Sequence, residues 1–158
     1  MHSNIDFNYK TILITGGAGF IGSNLAHYFQ KNFPKAIIII FDCFRNQQTF
    51  HNGNLKSFGH FKNLIGFSGN IICGDLNNKK DLDLLNNYKF DYIFHHAAIS
   101  DTRIYDQELI MKTNVNSFYD LIEIAVADNA TLIYASSAST YGSLNSPQVV
   151  GTESPENP

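Results

Sequence analysis

The eight residues TGGAGFIG (15–22) decide the fold of this chain, and they follow directly on the short apolar run TILIT (11–15). Gly16, Gly19 and Gly22 fall at every third position, which is typical of a turn that leads from a buried strand into a helix. The first glycine permits a tight turn, the second lets the backbone approach a pyrophosphate, and the third lets helix and strand pack closely. The helix N-terminus supplies N–H groups and the positive end of a dipole. The stretch therefore predicts a dinucleotide-binding turn.

Apolar segments alternate with helix-like segments along the rest of the chain. Strands are predicted at residues 11–15, 36–41, 71–73, 92–95 and 131–135, and helices at 20–33, 79–85 and 107–128. Because strand and helix alternate with short turns, the pattern predicts an α/β fold, a Rossmann-type doubly wound parallel sheet with the last strand at its edge. Residues 43–69 are too long for an ordinary connection and are predicted to be an insertion with one helical turn that faces a substrate or partner.

Composition excludes several classes of protein. The 158 residues carry a formal net charge of −3, so the clustered basic excess of a nucleic-acid-binding protein is missing. The longest apolar run, residues 36–41, is far shorter than the roughly 20 residues of a membrane span. Two cysteines, Cys43 and Cys73, define neither a disulfide scaffold nor a metal-binding knuckle. The start of the chain lacks a signal-peptide pattern, and we expect a cytoplasmic protein.

An acidic residue follows the glycine turn at the spacing that a dinucleotide site requires. Asp42 ends the second predicted strand, 20 residues after Gly22. Its carboxylate is expected to accept hydrogen bonds from the adenosine ribose, which favours NAD. Arg45, three residues later, is an alternative partner for the 2′-phosphate of NADP, so these residues leave the choice of cofactor open.

Two further loops follow predicted strands. In Gly74-Asp75-Leu76, the Asp75 carboxylate is expected either to receive the adenine amino group or to cap the next helix. The segment HHAA (95–98) has small residues where a dinucleotide backbone needs room. Its adjacent histidines point to opposite faces of a strand, so no metal site is predicted.

Two further polar positions are candidate binding residues. Asn114 lies within a predicted apolar stripe made of Ile110, Phe118, Leu121, Ile122 and Ala125. An unsatisfied buried amide costs about 1–3 kcal/mol, so Asn114 is expected to bind backbone, water or cofactor. Ser136 and Ser137 follow the fifth strand, where hydroxyls either hydrogen-bond a substrate oxygen or cap the strand end.

Taken together, the segments TGGAGFIGSN, GDL, FHHAA and YASSASTYG and the acid after strand two resemble the extended short-chain dehydrogenase/reductase family of nucleotide-sugar epimerases and dehydratases. The segments GHFKNLIGF (59–67), MKTN (111–114) and YASSASTYG (134–142) favour members that act on ADP-heptose for lipopolysaccharide core synthesis. The resemblance implies a bound NADP, with NAD as the alternative, that is recycled while sugar C6 is oxidised and reduced again. The rival readings are a 4-epimerase, a 4,6-dehydratase, or a dinucleotide-binding module without catalysis.

The resemblance also implies roles for individual residues. Ser137 is the expected catalytic hydroxyl, and Ser100, Asp101 and Ser137 are expected to contact the substrate. A homo-oligomer is expected for the full-length enzyme. The expected cofactor-binding set is Gly16, Gly19, Phe20, Ile21, Gly22, Asp42, Cys43, Arg45, Asp75, Leu76, Lys79, His96, Ala97, Ala98, Ile99, Ser100 and Asn114.

One departure from the family concerns its proton-transfer pair, a tyrosine followed four residues later by a lysine that lowers the tyrosine pKa. None of the eight tyrosines of this chain has lysine at that spacing. Residues 1–158 are therefore expected to form one NAD(P)-binding domain, incomplete at its C-terminal side and truncated before this pair and the substrate lobe. By itself, the 158-residue chain is expected to be inactive.

Overall fold

A computed structural model of the protein describes residues 5–137, in which five parallel strands alternate with helices. The strands are β1 (Thr11–Thr15), β2 (Ile37–Asp42), β3 (Asn70–Cys73), β4 (Tyr92–His95) and β5 (Thr131–Tyr134). The helices are α1 (Phe20–Asn32), α2 (Lys79–Leu82), α3 (Gln107–Met111) and α4 (Ser117–Asp128). Every predicted strand is confirmed to within one residue at each end. Predictions that concern residues 138–158 lie outside the described residues.

The strand order is β3-β2-β1-β4-β5, with all neighbouring pairs parallel. From β1 the chain builds the sheet first to one side, through β2 and β3, and then to the other, through β4 and β5. In sheets of this kind, ligands bind outside the carboxyl ends of the strands at the point where the direction reverses. That point is the crevice between β1 and β4. Among residues 5–137, β5 lies at the edge of the sheet, as predicted.

Helices cover both faces of the sheet, and β1 contributes side chains to both cores. Ile12 and Ile14 pack with Phe29 of α1, whereas Leu13 packs with Leu121 of α4. All three β1 residues are fully buried, as expected for a strand with both faces covered. The doubly wound α/β fold predicted from the apolar runs is thereby confirmed.

The predicted helix at 107–128 differs from the structure, because a π-helical turn at Lys112–Asn116 divides it into α3 and α4. The predicted apolar stripe is also partly wrong. Leu121 and Ala125 are buried, but Ile122 is 38% exposed. Successive residues of an α-helix are rotated by about 100°, so Ile122 faces outward beside buried Leu121.

The segments at 79–87 and 43–69 contain only short helical elements. The helix predicted at 79–85 is one turn of α-helix that continues as a 3₁₀ helix at Asp83–Asn87. The insertion at 43–69 contains the single predicted helical turn, as a 3₁₀ turn at Phe61–Leu64. An isolated antiparallel bridge joins Thr49 to Leu55 in the same insertion.

Candidate dinucleotide-binding site

The glycine turn at the carboxyl end of β1 leaves no room for side chains. Gly16 has φ +66°, and a Cβ there would lie 2.7 Å from the Ala97 backbone nitrogen. At Gly22 a Cβ would lie 2.4 Å from the Gly16 carbonyl oxygen, so only glycine lets α1 start this close to the strand. Phe20 and Ile21, the first helical residues, are 83% and 61% exposed. The N-terminus of α1 thus opens to solvent at the crevice, where helices bind anions.

Asp42, the acid predicted to bind ribose, is turned toward the backbone that surrounds it. One carboxylate oxygen accepts from the Ala18 N–H at 3.0 Å and the other from the Phe44 N–H at 2.8 Å. The side chain is only 6% exposed, and its burial raises the pKa of Asp42. A Cβ on Gly59 would meet an Asp42 carboxylate oxygen at 2.2 Å. Asp42 therefore joins the glycine turn to the residue 43–69 insertion.

The insertion is hydrogen-bonded to the glycine turn through His60 and Asn63, neither of which belongs to a predicted site. The His60 N–H donates to the Ala18 carbonyl at 3.0 Å, and the Asn63 side chain donates to the same oxygen at 2.8 Å. The Arg45 N–H donates to the Gly59 carbonyl at 2.7 Å, which brings Arg45 next to His60. The signal for His60 was present in the segment GHFKNLIGF, but the residue carries no motif of its own.

The loop after β3 holds the predicted adenine-side residues in different environments. Asp75 is exposed, and its carboxylate accepts from the Asn77 N–H at 2.9 Å. Asn78, and not Asp75, caps α2, because the Asn78 side chain accepts from the Lys80 N–H. Leu76 is buried in the core below the loop. Lys79 is exposed and forms an ion pair with Asp120 at 3.4 Å on the outer face of α4.

The two histidines at the end of β4, His95 in the strand and His96 directly after it, lie in contrasting surroundings. His95 is 7% exposed, and its Nδ1 lies 2.7 Å from the Thr15 hydroxyl oxygen. Burial lowers the pKa of His95 to about 4. Both ring nitrogens of His96 are buried without a hydrogen-bond partner among residues 5–137, and burial lowers its pKa too. Ala97 lies against Gly16, so the HHAA segment borders the glycine turn.

The Asn114 side chain forms two hydrogen bonds with the loop that follows β4. Its Nδ2 donates to the Ile99 carbonyl at 2.9 Å, and its Oδ1 accepts from the Ile99 N–H at 2.8 Å. Of the partners expected for this amide, the structure assigns backbone. The pair of bonds holds the loop after β4 against the π-turn, and the loop bounds the crevice on the β4 side.

The predicted substrate residues are divided between two places. Asp101 accepts hydrogen bonds from the Asn52 and Asn54 side chains of the insertion, and from Arg103 at 3.0 Å. The Arg103 side chain and these amides lower the pKa of Asp101. Asp101 thus fastens the insertion to the β4–α3 connection. Ser100 is exposed beside it, and Ser137 is exposed just beyond the end of β5.

The structure therefore brings most of the predicted residues to one edge. The glycine turn, Asp42, the residue 95–99 loop and Asn114 are joined by the contacts described above. Cys43 is exposed immediately after β2. A glycine-lined helix N-terminus at the reversal point of a parallel sheet, with an acid after β2, defines a Rossmann-type dinucleotide-binding protein. Among residues 5–137, no helix has the length and apolar character needed to cross a membrane.

Comparison with known proteins narrows this class to a family. Residues 12–158 match the model of the NAD dependent epimerase/dehydratase family, and the chain belongs to that family. It is 37% identical over 133 residues to the ADP-L-glycero-D-manno-heptose-6-epimerase of Brachyspira hyodysenteriae, covering 83% of this chain and 38% of that protein.

Solved structures of nucleotide-sugar epimerases and dehydratases are also similar to this chain. The Helicobacter pylori ADP-L-glycero-D-manno-heptose-6-epimerase superposes with a TM-score of 0.82 at 52% identity, covering 99% of this chain and 49% of that one. The Bacillus anthracis dTDP-glucose 4,6-dehydratase in complex with NAD superposes with a TM-score of 0.70 at 26% identity, covering 94% of this chain and 44% of that one. The chain thus spans less than half the length of these relatives.

Proposed function

We propose that this chain is the cofactor-binding part of a cytoplasmic nucleotide-sugar epimerase that inverts C6 of an ADP-heptose. The observation that carries the proposal is the Gly16–Gly22 turn, which is packed against Ala97 and opens at the reversal point of the sheet. Such a turn binds a pyrophosphate through backbone N–H groups, without a side chain in the way. The 37% and 52% identities to two 6-epimerases support the choice of sugar.

In this proposal the residues of the chain bind and orient. The open N-terminus of α1 at Phe20 and Ile21 takes the pyrophosphate, and Asp42 holds the glycine turn and the insertion in register. Asn114 holds the loop after β4 in place on the other side of the crevice. Ser137 orients the sugar oxygen by hydrogen bonding at the carboxyl end of β5. A bound nicotinamide dinucleotide would accept a hydride from the sugar and return it.

We propose NADP as the preferred cofactor. Both Asp42 oxygens are engaged by backbone N–H groups, so this carboxylate has less capacity for the ribose hydroxyls than an exposed acid. Arg45 is exposed and its backbone is bonded to Gly59, next to His60. An exposed guanidinium fork close to the end of β2 suits the 2′-phosphate that distinguishes NADP from NAD.

Replacing Arg45 by alanine is expected to raise the Kd for NADPH about tenfold, because it removes a charge-assisted hydrogen bond to phosphate. The Kd for NADH is expected to change less than about twofold, since that ligand lacks the phosphate. Titration calorimetry of the wild-type chain and of Arg45→Ala with both ligands measures the difference. Lys31→Ala, at the far end of α1, is the matched loss of one positive charge. Equal NADPH affinity in Arg45→Ala and wild type would contradict the NADP proposal.

The proposed reaction is tested on a polypeptide that continues this chain into a Tyr-x-x-x-Lys helix. We expect it to epimerise ADP-heptose but not UDP- or dTDP-hexoses, and Ser137→Ala to lower turnover about 100-fold with unchanged NADPH affinity. Ser136→Ala is the neighbouring control, and product analysis by chromatography is the measurement. The 158-residue chain alone is expected to show no turnover, because it lacks the tyrosine–lysine pair. Unchanged turnover in Ser137→Ala removes Ser137 from the mechanism.

A homo-oligomer is the assembly that we propose. Apolar side chains are exposed along the outer side of α3, the π-turn and α4, at Met111, Val115, Tyr119, Ile122 and Val126. Their spacing of three and four residues makes one stripe along the helix axis. A second copy related by a two-fold axis presents the same apolar stripe, so each copy can cover the stripe of the other, which supports a homo-oligomer for the full-length enzyme.

A further inference from the structure

We infer that Thr113 and Asn77 are positioning residues that hold the β3–α2 loop for the adenosine half of the dinucleotide. This inference rests on the proposed function. The Asn77 Nδ2 donates to the Thr113 hydroxyl oxygen at 2.9 Å, across 36 positions of sequence. The bond joins the loop after β3 to the π-turn between α3 and α4.

Most of the other hydrogen bonds of this loop are local, but the Gly74 N–H also donates to the Asp42 carbonyl at 3.0 Å. The Asp75 carboxylate accepts from the Asn77 N–H, and the Asn78 N–H donates to the Asp75 carbonyl, each at 2.9 Å. The Asp75 N–H donates to the Asp81 carboxylate of α2 at 2.9 Å. These bonds give the loop its shape, while Gly74 and the buried Leu76 attach its first residues to the sheet and the core. The Asn77 side chain, which follows them, is held by the Thr113 hydroxyl. The contact with Thr113 relates the loop to the helix on the far side of the crevice.

The π-turn carries two neighbouring residues that each hydrogen-bond a different loop. Thr113 bonds the loop after β3, and the next residue, Asn114, bonds Ile99 in the loop after β4. Strands β3 and β4 lie on opposite sides of β1 in the sheet. A single turn of helix therefore connects the two loops that bound the crevice, and a shift of Thr113 against Asn77 changes the distance between them.

The side chain of Asn77 depends on this one bond for its orientation. Its Oδ1 is buried and has no hydrogen-bond partner among residues 5–137. If the Thr113 hydroxyl is removed, the whole carboxamide becomes unpaired, and an unpaired buried amide drives the side chain toward solvent. Because the Asn77 N–H bonds Asp75, that movement displaces the segment predicted to meet adenine.

The test compares Thr113→Val, which keeps the shape of the side chain without its hydroxyl, with Thr113→Ser, which keeps the hydroxyl. The full 158-residue chain is titrated with ADP as the adenosine-half probe and with NMN as the nicotinamide-half probe. We expect Thr113→Val to weaken ADP binding about fivefold and Thr113→Ser less than about twofold, with NMN binding unchanged in both. Titrations are run well below the unfolding midpoint of each variant, so that a lower stability alone does not alter the Kd.

Wild-type ADP affinity in Thr113→Val overturns the inference, and so does an equal loss of ADP and NMN binding, which indicates general disruption. If Thr113→Val does not fold, Asn77→Ala removes the same bond from the other side and must give the same selective loss of ADP binding. ADP binding by Asn77→Ala at the wild-type level likewise overturns it. Failure of the wild-type chain to bind both NADPH and ADP refutes the proposed function itself and leaves Thr113 without a role in it.

Discussion

Alanine in place of Gly22 is expected to lower the free energy of unfolding by about 2–3 kcal/mol and to weaken dinucleotide binding at least about tenfold. In an ordinary helix, glycine to alanine stabilises by about 1 kcal/mol. Here the added Cβ would lie 2.4 Å from the Gly16 carbonyl oxygen and 2.7 Å from the Gly17 Cα. Backbone atoms cannot rotate away, so α1 must move off β1. That movement takes the helix N-terminus away from the pyrophosphate position.

Chemical denaturation and NADPH titration of the same samples measure both effects. Gly53→Ala is the control, because a Cβ at Gly53 meets no atom within 4 Å and only its φ of +81° opposes substitution. That strain costs about 1–2 kcal/mol, and we expect no loss of NADPH affinity in the control. A Gly22→Ala chain as stable as wild type would show that the turn does not need glycine for close packing.

Lowering the pH from 7 to 4 is expected to reduce the free energy of unfolding by about 3 kcal/mol through His95. Burial lowers the pKa of His95 from 6.5 to about 4. Between these values the unfolded chain binds a proton that the folded chain excludes, so acid favours unfolding. The stability is fully present above pH 6.5 and falls progressively toward pH 4. Protonation also places a charge beside Thr15 and Phe118 in the buried interior.

His95→Asn is the matched variant, since asparagine keeps a polar side chain opposite the Thr15 hydroxyl but does not titrate. Denaturant unfolding at pH 7, 6, 5 and 4 is expected to show that the free energy of unfolding depends less on pH in the variant than in the wild type. His96, whose pKa is also lowered by burial, adds a smaller decrease of the same sign. The raised pKa of Asp42 has the opposite effect, because acid just above pH 3.8 protonates the folded chain first and so increases the free energy of unfolding. The lowered pKa of Asp91 decreases the free energy of unfolding only below about pH 3.8. Identical pH profiles for variant and wild type would show that His95 does not control the acid sensitivity.

Most of the sheet was predictable because parallel strands buried on both faces are short, apolar and β-branched. The run IIIIFD (37–42) shows this, and its last residue was identified as a site residue from its distance to Gly22. The π-turn was not predictable, since a 3.6-residue period fits residues 107–128 with or without one extra residue in a turn. The two asparagine partners of Asp101, Asn54 and Asn52, were hidden for another reason. They lie 47 and 49 positions away in an insertion without a regular pattern.

By itself, the sequence determined the α/β class, the order of strands and helices, and the glycine turn between β1 and α1, which is the site that it predicts for a dinucleotide. These features depend on the local spacing of glycines and on the pattern of apolar residues, and both can be taken directly from the sequence. The tertiary structure alone decided what each polar side chain contacts. It directed Asp42 to Ala18, Asn114 to Ile99, and Asn77 to Thr113. Hydrogen bonds between distant segments depend on how those segments pack, and only the folded chain brings them within 3 Å of each other.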